Sequence, residues 1–179
     1  FLIFDGVVLK RKTGMGYVKR VVLVALGITP EGKKEVIDFR IAHAESQAAW
    51  DVFLSDLYRR GLNGKGVEMI ITDGGKGLLA ALPFIYHHIP LQRCWAHKTR
   101  NILNAVRKKD RDAMKKDLHR ISHAKGIRQA QSALRRFSDK WISTYPRTVA
   151  SLKANEEELL TFLRIKDPSV WSQIRTTNA

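Results

Sequence analysis

The sequence of 179 residues holds a single cysteine, so no internal disulfide can form and a reducing compartment is expected. It has no apolar run of about 18 residues, which excludes a membrane-spanning helix. It offers no secretory signal, because the apolar opening is interrupted by Asp5 and followed by Lys10, Arg11 and Lys12. It has no initiator methionine, and the expectation is a piece of a longer protein. The string "GGKG" (74–77) lacks the spacing of a phosphate-binding P-loop, which excludes that class of nucleotide site. Acidic residues are also scarce, 17 against 32 Lys and Arg, for a net charge of +15. The shortage is local. Residues 1–90 carry 12 basic and 9 acidic side chains, residues 91–150 carry 16 and 4, and residues 151–179 carry 4 of each. A basic block on an otherwise balanced chain is the electrostatic footprint of a polyanion-binding region, nucleic acid above all. The alternative is a solvated helix surface with no partner.

What is present divides into a strand-rich part and a helical part. Three strands are expected at 1–10, 16–28 and 33–42, joined by "KTGMG" and "TPEG"; turns this short make neighbours antiparallel. The first two are continuously apolar, as central strands covered on both faces tend to be. In 46–64 the period changes: Trp50, Phe53, Leu54 and Leu57 share one helical face, with Ser46 as N-cap and Gly61 just past the end. A fourth strand follows at 67–72, then a short helix leading to Pro83 and a fifth strand at 87–94. The order βββαβαβ implies an α/β sheet with parallel additions after the third strand. After Cys94 every pattern is helical. Thr99, Ile102, Leu103 and Val106 line a first helix, and Met114, Leu118 and Ile121 a second. Ile127, Leu134, Phe137, Trp141 and Tyr145 line a third, which Pro146 ends or lies just past; Leu152, Leu159, Leu160 and Leu163 line a fourth. The basic residues fall between these apolar positions, and Lys98, Arg100, Arg107, Lys108, Lys109, Lys115 and Lys116 are the candidate contacts to a nucleic-acid backbone.

Two aspartates stand out. Alternation along "LIFDGVVL" places Asp5 on the side of Ile3 and Val7, where a carboxylate is costly unless it is paired, protonated or bound to a metal. Asp73, in "MIITDGG", stands at the carboxyl end of the fourth strand, where α/β sheets gather ligands. Alone, Asp73 reads equally well as a turn or cap residue. If the first and fourth strands are adjacent and parallel, the two acids meet, and a divalent cation such as Mg²⁺ or Mn²⁺ offsets their repulsion. The pair Cys94 and His97 has Cys-x-x-His spacing, but a structural zinc takes four ligands and no second cysteine exists. A buried Cys beside a satisfied His at a helix start is the plainer reading. Trp50 and Trp141 fit core positions.

These residues resemble a known family. The strand order with an Asp in the first strand and another after the fourth is similar to the ribonuclease H-like fold of DDE transposases and integrases. The strings "LVALGITPEGKKEVIDFRIAHAESQAAWDVFLSDLYRRGLNG", "MIITDGGKGL", "PLQRCWAHKTRNIL" and "IRTTNA" resemble bacterial insertion-sequence transposases of the Mutator type, over essentially the whole chain.

The resemblance implies a DDE transposase acting by two-metal phosphoryl transfer: strand cleavage at element ends, then attack of the freed 3′-OH on target DNA. Asp5 matches the first acid and Asp73 the second, with two Mg²⁺ (or Mn²⁺) ions in the complete enzyme. Cys94 and His97 match the family's C-x-x-H motif. Residues 1–94 match the ribonuclease H-like half, 95–175 an all-α insertion after the fifth strand, and 176–179 the start of a segment leading to the third acid. That acid is a Glu shortly after a Thr-Thr-Asn signature, here Thr176, Thr177 and Asn178, so the expected chain is a catalytically inactive core fragment. Implied partners are the element's terminal inverted repeats, target DNA and a second copy of the chain, in a bacterial cytoplasm at the nucleoid. A ribonuclease H-like nuclease shares both acids without needing the basic insertion. A domesticated DNA-binding protein keeps the basic block and tolerates loss of an acid.

Overall fold

A computed structural model describes residues 1–14 and 16–177 of the chain. It is mixed α/β, with one five-stranded sheet in the order β3-β2-β1-β4-β5 and eight α-helices among the described residues. The chain forms two compact units, and the boundary falls inside the fifth strand, after Leu91.

In the first unit, β1 (Leu2–Thr13), β2 (Gly16–Ile28) and β3 (Lys34–Ala42) form an antiparallel meander, and β4 (Ile70–Thr72) pairs parallel to β1. Between β3 and β4 lies α1 (Gln47–Arg59). Ser46 caps it as expected, accepting the N–H of Ala49, and Gly61, with φ of 111°, follows its last turn. Helix α2 (Lys76–Ile85) follows β4, and β5 (Leu91–Arg93) closes the sheet. One face of β1 carries Leu2 and Phe4 into a core with Trp50, Phe53, Leu54 and Leu57 of α1 and Leu78, Ala81 and Leu82 of α2. The rings of Phe4 and Trp50 meet edge to face at 6.3 Å.

Several elements differ from the sequence expectation. The fourth strand is confined to Ile70–Thr72, because Gly64 and Gly66 adopt positive φ and Val67 closes a turn on the Gly64 carbonyl. The fifth is confined to Leu91–Arg93; His87 and His88 lie in a turn that Ile89 closes on the Tyr86 carbonyl. Helix α2 continues through Pro83, whose ring removes one hydrogen bond near the helix end while Leu78, Ala81 and Leu82 hold the apolar face in the core. Strands β1 and β2 are central, yet not covered along their length. The three residues of β4 pair only with Leu2–Phe4, so the β1–β2 hairpin projects beyond it and Val7, Val8 and Leu9 are exposed. Phe39 and Ile41 of β3 are also exposed.

The second unit is helical: α3 (Trp95–Asn104), α4 (Arg111–Ser122), α5 (Ile127–Trp141), α6 (Pro146–Lys153), α7 (Glu156–Leu160) and α8 (Trp171–Ile174). The expected third helix ends at Trp141; Pro146 lies past that end and starts α6 from the N1 position, where a missing N–H costs nothing. The expected fourth helix is two, α6 and α7, interrupted at Ala154 and Asn155. Met114, Leu118, Ile121, Leu134, Phe137 and Trp141 are buried, while Ile127 is exposed. Buried polar groups are paired. The Gln92 side chain donates to the carbonyls of Arg93 and Leu159 and accepts from the N–H of Phe162. Asp117 accepts from Arg120, Lys140 and the Trp141 indole at 2.7, 2.7 and 3.0 Å. Burial raises its carboxyl, but these donors outweigh burial and hold it below the ordinary value.

Candidate active site

The register of β1 on β4 builds the site. Leu2, Ile3 and Phe4 stand opposite Ile70, Ile71 and Thr72. Asp5 and Asp73 are therefore each one step past the last matched pair, on adjacent parallel strands, and their side chains leave the same face. A carboxylate oxygen of Asp5 and one of Asp73 lie within 4.8 Å of each other. Both residues are half-buried. The loop after β4 holds Asp73 in place: the N–H of Gly75 donates to Asp73 Oδ1 at 2.8 Å, and Thr72 Oγ1 donates to the same oxygen at 3.4 Å. The N–H of Gly74 in turn donates to Thr72 Oγ1 at 3.1 Å. Gly74 has φ of 89°, which a side chain would strain.

A third carboxylate, which the sequence reading passed over, stands beside this pair. Glu45 directly precedes the N-cap of α1 and is half-buried. A Cβ on Gly6 would lie 2.6 Å from the Glu45 carboxyl carbon. A Cβ on Gly75 would lie 2.5 Å from Glu45 Oε1 and 3.3 Å from Asp73 Oδ1, so Glu45 and Asp73 flank one small volume. A Cβ on Gly77 would lie 2.7–2.9 Å from the backbone of Glu45, Ser46 and Gln47. Gly6, directly after Asp5, and Gly75, two residues after Asp73, thus leave room for the Glu45 carboxylate. The available signal was an acid one residue before a helix N-cap, where the helix dipole favours negative charge. The donors that the first unit supplies are carboxylate oxygens, the chemistry that suits a hard divalent cation.

In the second unit Cys94 is the N-cap of α3 and is buried. Its sulfur accepts the N–H of Thr177 at 3.2 Å and lies 3.2 Å from His97 Nδ1 and 3.4 Å from Thr176 Oγ1. His97 Nδ1 is 3.4 Å from Thr177 Oγ1. Burial pushes the thiol up, but the contacts from Thr176, His97 and Thr177 prevail and it lies below its ordinary value. The C-x-x-H motif is therefore a clasp on the Thr-Thr segment within this unit, reinforced by the Trp95 N–H bonded to the Arg175 carbonyl at 2.9 Å. Asn178 lies outside the described residues.

The basic candidates divide. Arg100, Lys108, Lys109, Lys115 and Lys116 are exposed. Arg107 is exposed too, but its guanidinium donates to Tyr145 Oη and pairs with Asp110 at 3.7 Å. Lys98 is engaged internally: its ammonium donates to Ser151 O, Ser151 Oγ and Asn155 Oδ1, each at 2.8 Å, and ties α3 to α6. Burial, with Arg93 adding repulsion, pushes it down to about 8.

Fold and site together define an α/β domain that sets paired acids at the end of adjacent parallel strands, with a basic helical unit following in the chain. Residues 1–179 match a family model described as "Transposase, Mutator family". The chain belongs to the Mutator family of transposases. It is 40% identical, over 88% of its length, to the transposase for insertion sequence element IST2 of Acidithiobacillus ferrooxidans, of which the match covers 52%. It is 34% identical over 99% of its length to the transposase for IS905 of Lactococcus lactis, and 36% over 86% to that for IS1201 of Lactobacillus helveticus. Those matches cover 44% and 40% of the relatives, so the chain spans about half the length of the curated proteins it resembles.

Proposed function

We propose that this chain carries catalytic machinery of an insertion-sequence transposase on a ribonuclease H-like fold: cleavage of DNA at the element ends and attack of the resulting 3′-OH on target DNA. The observation that carries the reading is the meeting of Asp5 and Asp73 within 4.8 Å at the end of adjacent parallel strands. Asp5 and Asp73 would hold Mg²⁺ or Mn²⁺, and the bound ions would supply charge stabilisation to the attacking and leaving oxygens of an in-line displacement. The residues present fit that group: the donors are hard oxygens, and Gly75 keeps the space between Glu45 and Asp73 clear. Asp73 is oriented by Gly75 and Thr72, so its reach toward a ligand is set before DNA arrives. Glu45 does not stand where the resemblance implies the third acid, a Glu after Thr176 and Thr177; it is an additional carboxylate on the same volume. Residues 95–175, the all-α insertion, would hold the DNA backbone through the exposed Arg100, Lys108, Lys109, Lys115 and Lys116, leaving Lys98 to its structural bonds.

The working form would be a homo-oligomer on paired element ends, in the bacterial cytoplasm at the nucleoid; among the described residues no helix is long and apolar enough to cross a membrane. The test is a Mg²⁺-dependent cleavage assay on a terminal-repeat duplex, using the full-length transposase that contains this chain. Cleavage that disappears with Asp5→Asn while DNA binding persists supports the reading. Undiminished cleavage by that variant refutes it.

A further inference from the structure

In the second unit the last turns of α4, the start of α3 and Arg175 enclose a cleft of about 280 Å³. Its charged and titratable groups are Lys115, His119, His123 and Arg175, and no carboxylate lines it. Lys115, His119 and His123 recur at intervals of four, so they stack along one side of α4 and its C-cap. The two imidazoles are parallel within 13°, with centroids 3.5 Å apart. Trp95 forms a wall, fixed by its indole N–H on the Leu159 carbonyl at 2.8 Å, and Thr99 adds a hydroxyl.

This arrangement runs against the rest of the unit. Elsewhere basic groups share acids: Arg120 and Lys140 on Asp117, Arg93 on Glu158, Arg164 on Glu157. Here Lys115 and Arg175 meet two imidazoles with no acid among the lining residues, although Arg175 donates to the Ser122 carbonyl at 3.3 Å, and an anion complements that set. The His123 imidazole is pushed below its ordinary value by burial, then by Arg175 and His119, so in the empty cleft it is neutral near pH 7. Its Nδ1 lies 2.9 Å from Ser122 Oγ and 3.2 Å from the His119 carbonyl, so that side of the ring is tied to the end of α4.

We propose that this cleft seats a single DNA backbone phosphate on Lys115, His119, His123 and Arg175, a fixed anchor beside the diffuse contacts of Arg100, Lys108, Lys109 and Lys116. The inference rests on the reading that this unit binds DNA. Binding would draw a proton from solvent onto the His123 imidazole, with Lys115, His119 and Arg175 as the charged or titratable neighbours facing it.

The experiment is ¹⁵N imidazole NMR of the chain, titrated with a short duplex and separately with inorganic phosphate, alongside duplex affinity at about 0.1 M salt. The expected result is that the duplex moves the His119 and His123 signals toward imidazolium, and that His119→Gln with His123→Gln weakens binding roughly tenfold, the loss of one or two charge-assisted hydrogen bonds. Lys108→Gln with Lys109→Gln should leave the histidine signals responsive. Duplex binding with unmoved histidine signals would overturn the anchor and spare the DNA reading. Signals that respond to inorganic phosphate but not to bound duplex would overturn it in favour of a small-anion site. A wild-type chain that binds no duplex would refute the DNA reading itself, and the anchor with it.

Discussion

The two units place charge by opposite means. The first carries 12 basic and 9 acidic residues through position 91 and gathers three carboxylates on one sheet edge, using strand register and close glycine packing to do so. The second is strongly basic, yet spends its acids with economy: Asp117 alone takes two cations and an indole. In the first unit like charge is gathered at one site; in the second, basic side chains pair with Asp117, Glu157 and Glu158, others stand exposed, and Lys115, His119, His123 and Arg175 line one cleft. Like charge gathered in place by the fold is a marker of function, because stability alone gives no reason to gather it.

The sharpest break in that comparison is at the acids. Asp5→Asn or Asp73→Asn in the full-length transposase should lower strand cleavage by at least about a thousandfold, the scale of losing a preorganised electrostatic contact in a transition state. On the proposed reading the other unit carries duplex affinity, so it should hold within about twofold in a filter-binding assay.

A smaller effect separates the packing of the two regions. Gly77→Ala would press a methyl to within 2.7 Å of the Ser46 backbone, and urea unfolding should show a loss of about 2–3 kcal/mol. Gly126, at the start of α5, has nothing within 4 Å of an added Cβ and an extended backbone, so Gly126→Ala should stay within about 0.5 kcal/mol. Equal costs at the two sites would remove the contrast.

The second unit breaks at its shared acid. Asp117→Asn should destabilise by about 1–3 kcal/mol, since Lys140 and Arg120 lose their common acceptor. The native carboxyl lies below its unfolded value, so its contribution is complete above the unfolded value and is lost as pH falls through the native one. Melting curves between about pH 5 and 3 should therefore fall less steeply for the variant than for the wild type. Parallel curves would mean that Asp117 holds no such advantage.

The mildest change concerns salt. Neutralising Lys108, Lys109, Lys115 and Lys116 together should flatten the dependence of log affinity on log salt by roughly 3.6, about 0.9 for each lost phosphate contact. An unchanged slope would move the DNA to another surface.

Much of this was legible from residue order. The meander was readable because Gly14, Gly16, Pro30 and Gly32 punctuate apolar runs, and α1 because Trp50, Phe53, Leu54 and Leu57 keep one face between Ser46 and Gly61. The short strands β4 and β5 were overextended, since apolar residues such as Val67 and Ile89 lie in turns closed by backbone bonds that periodicity does not encode. Pro146 was legible as a helix boundary but not as the start of α6, because the same ring that ends one helix starts another. Asp5 and Asp73 were visible as acids in apolar runs. Glu45 was not, because its place depends on missing side chains at Gly6, Gly75 and Gly77, far apart in sequence. Lys98 counted as surface charge until its three acceptors were in view.

The most direct test of the account is Mn²⁺ binding to the chain, followed by electron paramagnetic resonance without DNA. The account predicts saturable binding that Asp5→Asn or Asp73→Asn weakens at least about tenfold, as loss of one carboxylate ligand requires. Binding unaffected by either substitution, or no binding by the wild type, would contradict it.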